Sequence, residues 1–442
     1  MDRSCIQQGK QDVSTSVQVR IGPVTLLRIF LLLVCVIPGA VAWQSPEAQQ
    51  DAHGDGPLLV GYFPQWGVDS QPQYLVKDLI RSGGAGMLDQ VNYSQGSVKG
   101  GHCSIASPNA DLNYTFDTHN SVDGSTDDPR STFRGNFHQL EELKKQNPRL
   151  KVLISLEGSA DAFAEDAQPQ NRYVFVASCV DMFLRGRFAA GVVKPGVFDG
   201  IDLDWEFPKR EDAANYEALV HEFRRQMDLY RPGLRLSIAV GPGPRMYPGV
   251  DMKAVSKLAD QVAVMNYDYA GPWSKTTGII APLYTDPADP TAPGSVDETI
   301  AAYRTAGVPG HKLLMGLPFY GYGWEQVGAT NHGLYQAGQA IRSDRPYSFV
   351  QTQMAGSTLY RDQRTQAPWI FNGDTFWTFE DPTSIRFKVD YAQHQRLGGV
   401  MIWELSGDMP DASLLSAAYH QLRAPEDAEE TAEPPDTLQT DE

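Results

Sequence analysis

Asp199, Asp202, Asp204 and Glu206 crowd four carboxyl groups into the stretch "FDGIDLDWEFP", residues 198–208. The last three alternate with apolar Ile201, Leu203, Trp205 and Phe207, which is the period of a β-strand. Read as a strand over 198–207, the acids share one face and the apolar residues the other. Neighbouring acids then stand about 6.5–7 Å apart and repel by roughly 2.5 kcal/mol at an effective dielectric near 20. That is worth roughly two pKa units per neighbour, so at least one proton is expected in the row at neutral pH. General acid catalysis needs this arrangement, one carboxyl protonated beside a charged one. Glu206, last in the run, is the expected proton donor. No basic residue interrupts residues 198–208, which disfavours an ordinary ion-paired surface. A divalent cation held by the trio would call for a phosphate cradle, and none is visible, so no metal and no cofactor is expected.

Something must hold these acids in place. Short apolar runs at 58–66, 88–96, 150–158, 198–207, 234–243, 260–269, 312–321 and 398–405 read as strands, and amphipathic segments at helical spacing lie between them. Eight strands alternating with helices predict an α/β fold of the (β/α)8 TIM barrel type over residues 57–423. The acid row would face its interior, and the apolar set would meet the helices. A doubly wound sheet is the alternative, but no Gly-rich phosphate loop follows the first strand. Residues 322–381, between strand seven and the final barrel strand, read as short strands and hairpins, "RPYSFVQTQ" and "DTFWTFED" among them. A small α+β insertion on the carboxyl-end rim is expected there, walling a cleft.

The net charge of −17 argues against a nucleic-acid or anionic-membrane partner. The tail over 424–442 carries eight acidic residues and no basic one, and reads as disordered. Arg20 and Arg28 precede "IFLLLVCVI", Pro38-Gly39 break it, and Ala40-Val41-Ala42 offers a small-x-small cleavage site. Residues 1–42 are therefore expected to be a signal peptide cleaved after Ala42, with an uncleaved anchor as the alternative. The mature protein is expected to be secreted, free of the membrane and monomeric. It would keep two cysteines, Cys103 and Cys179, a candidate disulfide in an exported protein. Asn92 and Asn113 begin glycosylation triplets.

The acid run closely resembles the signature of family 18 glycoside hydrolases, the chitinases, whose pattern Asp-x-x-Asp-x-Asp-x-Glu falls on Asp199, Asp202, Asp204 and Glu206. "SLEG" (155–158), "MNYDYAGPW" (265–273), "GLPFYGYGW" (316–324) and "GGVMIWELSGD" (398–408) resemble further family pieces in the same order. The resemblance covers nearly all of residues 57–423. It implies that the interval at 322–381 is the insertion domain of one family branch. It also implies retaining hydrolysis in which the substrate's own acetamido oxygen attacks the anomeric carbon. Carried across, Glu206 is the acid, Asp204 holds the acetamido group and stabilises the oxazolinium, Asp202 shares its proton, and Tyr267 orients the acetyl oxygen. Trp403 is the expected platform under the sugar, with Asp268, Met265, Tyr62, Tyr320 and Trp273 as further substrate contacts. Chitin or chito-oligosaccharides, β-1,4-linked N-acetylglucosamine, are the implied substrate.

Strand three departs from the family's Ser-x-Gly-Gly-aromatic. Glu157 replaces a glycine and Ser159 the ring that often stacks on the sugar past the cleaved bond, while Tyr322 stands where arginine is common. Weaker product-side binding and an altered pH profile are expected. An inactive lectin on the same barrel is an alternative, disfavoured because Glu206 is present. An endo-β-N-acetylglucosaminidase cutting N-glycans is another, disfavoured by an insertion suited to a linear polymer. No separate chitin-binding module is evident, so soluble oligomers are expected to be the better substrates.

Overall fold

A computed structural model describes residues 56–424. The strands β1 (Leu58–Pro64), β2 (Gln90–Lys99), β3 (Lys151–Glu157) and β4 (Gly200–Asp204) are followed by β5 (Arg235–Val240), β6 (Gln261–Val264), β7 (Leu313–Pro318) and β8 (Gly399–Trp403). Each pairs in parallel with the next. β8 returns to β1 through pairs running from Leu58↔Gly399 to Gly61↔Ile402, closing the expected TIM barrel. The connecting helices include α1 (Val76–Arg81), α2 (Gly135–Gln146), α3 (Arg172–Cys179) and α4 (Ala213–Tyr230). They continue with α5 (Met252–Leu258), α6 (Val296–Thr305) and α7 (Pro382–His394), and α8 (Ser413–Leu422) follows β8.

The apolar face of the acid strand meets the helices. Ile201, Leu203 and Trp205 are fully buried, and Trp205 stacks on Phe163 at 5.5 Å and meets Tyr216 of α4 at 5.6 Å. Tyr216, Leu219, Val220, Phe223 and Met227 recur every three or four residues, so α4 buries one stripe against the barrel. Each such side chain contributes about 1.5–3 kcal/mol. Pro232 ends this helix, because the residue before a proline is pushed out of helical geometry; Arg231 is extended.

The opposite end of the barrel carries a polar floor. Gln90 and Gln261, first residues of β2 and β6, exchange amide hydrogen bonds of 2.9 Å each. Arg235, first in β5, donates to Gln90 at 2.9 Å. Paired in this way, the two glutamine amides satisfy each other at the bottom, and the carboxyl ends of the strands are left to form a site.

The strand bounds expected at 198–207 need correction. β4 stops at Asp204, so Glu206 lies beyond the strand, and Asp199 precedes it. Asp199 stands apart from the other acids: it pairs with Lys144 of α2 at 2.7 Å and accepts from the Val152 amide of β3 at 3.0 Å. Asn92 is fully buried inside β2, where it accepts from Gln90 at 2.8 Å, which leaves no room for a glycan; Asn113 is exposed.

Beyond β7 the chain forms an antiparallel six-stranded sheet with a helix at Tyr347–Thr352, running from Tyr320 to Thr378. It begins two residues before the boundary expected at 322. Its far end is tied down by Thr378, which accepts from the Ile280 amide at 2.9 Å, and by buried Lys388 of α7, which donates to Glu380 and to the Ala281 carbonyl. Cys103, on a strand (His102–Ile105) that folds back on β2, is joined by a disulfide to Cys179 at the end of α3. Among the described residues no helix is long and apolar enough to cross a membrane. The expected targeting segment lies outside the described residues, as does nearly all of the acidic tail.

Candidate active site

Asp202 is fully buried at the centre of the barrel. Its Oδ2 accepts from the Tyr62 hydroxyl of β1 at 2.8 Å and from Ser155 Oγ of β3 at 2.9 Å. Two residues on, Asp204 is 8% exposed. The Oδ1 atom of each has no hydrogen-bond partner among the described residues. Glu206 opens to solvent at the mouth, and no cation is among the groups acting on it.

All three carboxyls are held above their usual range. Burial is the largest cause for Asp202, opposed by the nearby Ser237 hydroxyl and by the hydrogen bonds from Tyr62 and Ser155. Burial also dominates for Asp204, which is raised further by the charges of Glu206, Glu157 and Asp202. Partial burial raises Glu206, and Asp268 adds to it. Lost hydration therefore leads and mutual repulsion follows, the reverse of the weighting that spacing alone suggests. Each shift favours the protonated form, the one a general acid must carry.

Aromatic rings continue the site in two directions. Tyr267 meets Tyr320 edge-on at 6.0 Å, Tyr320 meets Tyr322 at 5.7 Å, and Tyr322 meets Trp273 at 5.5 Å. This file leads from the acids onto the inserted sheet, and Trp273 is 60% exposed at its end. Tyr267 lies against β7 at Gly316, where a Cβ would come within 2.9 Å of its ring and 2.5 Å of the Val264 carbonyl; only glycine leaves the room. Asp268 takes a left-handed φ of 63° and accepts from the Tyr320 hydroxyl at 2.6 Å. Asp tolerates that conformation better than most residues. On the other side, Tyr62 meets Trp403 at 5.3 Å, and half-buried Met265 packs against the cluster that includes Tyr62, Tyr267 and Tyr320.

Sequence reasoning missed three participants. Trp66, exposed just past β1, lies 6.4 Å from Trp403 and extends the aromatic floor; a tryptophan at the carboxyl end of a barrel strand was the available signal. Glu404 follows Trp403, and burial pushes it up to about 7 with its Oε2 unpartnered. Ser94, midway along β2, donates to Glu157, and burial pushes that carboxyl up to about 7 as well.

The model of the glycosyl hydrolases family 18 matches residues 58–408. Chitinase C of Streptomyces lividans is 32% identical over 79% of this chain and 57% of that protein, so the chain spans little more than half of that relative. Chitinase 1 of Aphanocladium album is 29% identical over 88% of this chain and 92% of its own. Among solved structures, the catalytic domain of psychrophilic chitinase B from Arthrobacter TAD20 aligns at a TM-score of 0.77 and 32% identity, covering 83% of this chain and 95% of that one.

Proposed function

The chain belongs to the glycosyl hydrolases family 18, and from that premise we propose that it is a chitinase, cleaving β-1,4-linked N-acetylglucosamine with retention of configuration. The observation that carries the reading is the trio itself: two buried aspartates and a glutamate at the mouth, all raised toward the protonated form and none paired with a cation.

In this mechanism Glu206 gives its proton to the glycosidic oxygen as the bond from that oxygen to the anomeric carbon breaks. The acetamido oxygen of the same sugar forms the new bond to the anomeric carbon. Asp204 accepts from the acetamido N–H and faces the positive charge of the resulting oxazolinium, and Asp202 shares the proton that keeps the pair from carrying two charges. Tyr267 orients the acetyl oxygen for in-line attack. Glu206, now ionised, takes a proton from water, which opens the ring on the opposite side and restores the acid. Trp403, Trp66 and Trp273 offer ring faces to the C–H faces of successive sugars, with buried Tyr62 packed against Trp403 and buried Tyr320 next in the file that ends at Trp273. The reading extends to an exported protein, because the Cys103–Cys179 disulfide suits an oxidising compartment.

Chromatography of the products from N-acetylglucosamine oligomers tests it. Glu206→Gln should lower kcat by about 10³-fold while oligomer binding persists. A Glu206→Gln variant as active as the parent would refute the role. Cleavage of a high-mannose glycopeptide in place of the oligomers would refute the substrate.

A further inference from the structure

Glu157 ends β3 in register with Asp204, as Ser155 does with Asp202. Adjacent strands lie about 4.8 Å apart, so Glu157 and Asp204 belong to one carboxyl patch. Ser94 Oγ donates to one oxygen, Oε1, of Glu157. The charged groups acting on Glu157 are Glu206 and Asp202, and Glu157 in turn acts on Glu404 at the end of β8; no cation is among them. Asp204, in register with Glu157 and 8% exposed, keeps an Oδ1 without a partner among the described residues. The next side chain of the loop is committed elsewhere: Ser159 Oγ accepts from the Ala162 amide and caps the helix Ala160–Asp166. A carboxyl therefore stands at this end of β3, and no ring follows it.

Unpaired carboxyls in a sugar groove suit an ammonium, and in polymers of this class an ammonium arises where a 2-acetamido group has lost its acetyl. The reacting sugar cannot be that one, because its acetyl oxygen is the attacking group. The ammonium must belong to a neighbour, and Glu157 lies beside Glu206, the residue that addresses the leaving oxygen. We propose that Glu157 is a specificity-determining residue that favours a glucosamine unit directly past the cleaved bond, making partially deacetylated chitin a preferred substrate. The inference rests on the chitinase reading.

The test uses partially N-acetylated chitosan oligomers and the fully acetylated tetramer, with product ends sequenced by mass spectrometry, for the parent, Glu157→Gln and Glu157→Gly. The parent should place glucosamine at the new non-reducing ends with about tenfold enrichment, the scale of one charge-assisted contact, and the enrichment should shrink with added salt. Both substitutions should abolish most of it. Enrichment absent from the parent, or equal in the variants, overturns the proposal, as does an equal fall in kcat/KM on both substrates. Calorimetric titration of Glu206→Gln and of Glu157→Gln/Glu206→Gln with the two oligomer types separates this from the parent reading. Failure to cleave either oligomer sinks the chitinase assignment, whereas equal affinity of Glu206→Gln for both types sinks the role of Glu157 whatever the turnover.

Discussion

Glu380 and Asp202 are both buried carboxyls, 1% and 0% exposed, and burial raises both, yet only Glu380 is given a counter-ion. Glu380 faces the ammonium of Lys388, itself fully buried, and the pair ties the inserted sheet to α7 and to the loop after β6. Asp202 receives only hydroxyls, and beyond it Asp204 and Glu206 have no cation acting on them among the described residues. The same contrast recurs inside the acid run: Asp199, three residues before Asp202, is paired with Lys144. Where a carboxylate holds the architecture together, the fold supplies a counter-ion. Where it is to exchange a proton, the fold withholds one, and burial keeps the proton in place.

If that contrast is real, removing charge should have opposite signs in the two regions. The larger effect belongs to the ion pair. Lys388→Met strands Glu380 as an uncompensated buried charge and should lower stability by about 3–5 kcal/mol in urea unfolding. Adding Glu380→Gln should restore most of the loss, because the two groups act as one unit. A loss under about 1 kcal/mol for the single variant would mean that the pair is not the anchor described.

Neutralising the row should instead stabilise. Folding raises the pKa of Asp204, so the folded protein binds more protons there than the unfolded chain does. Stability from this group is complete below the ordinary aspartate range and falls as pH rises through the raised value. Asp204→Asn removes that fall, and should stabilise by about 2 kcal/mol at pH 8, the size of one like-charge repulsion, with little change at pH 4. Denaturation midpoints at the two pH values check the sign. Destabilisation at pH 8 would show that the row is compensated after all.

Much of the barrel was legible because parallel strands buried on both faces write themselves as apolar runs. The overlong reading of β4 has a simple origin. Trp205 and Phe207 continue the alternation for packing reasons of their own, Phe207 lying 5.9 Å from Tyr247. The fold-back strand after β2 went unread, although Gly100-Gly101, both at positive φ in the turn between Lys99 and His102, are a pairing typical of tight hairpins. The acids could be picked out because they are neighbours in sequence. Their supports could not, since Tyr62 and Ser155 reach Asp202 from 140 and 47 residues away. Local spacing also carries no information on hydration, which is why repulsion was weighted above burial.

Carboxyl carbon NMR of protein labelled at Asp and Glu, titrated with pH and assigned through Asp204→Asn and Glu206→Gln, tests the withheld counter-ion most directly. Asp204 and Glu206 should titrate above the usual carboxylate range. If Asp204 and Glu206 lose their protons at ordinary carboxylate values, the row stores none at neutral pH and the account of its chemistry is wrong.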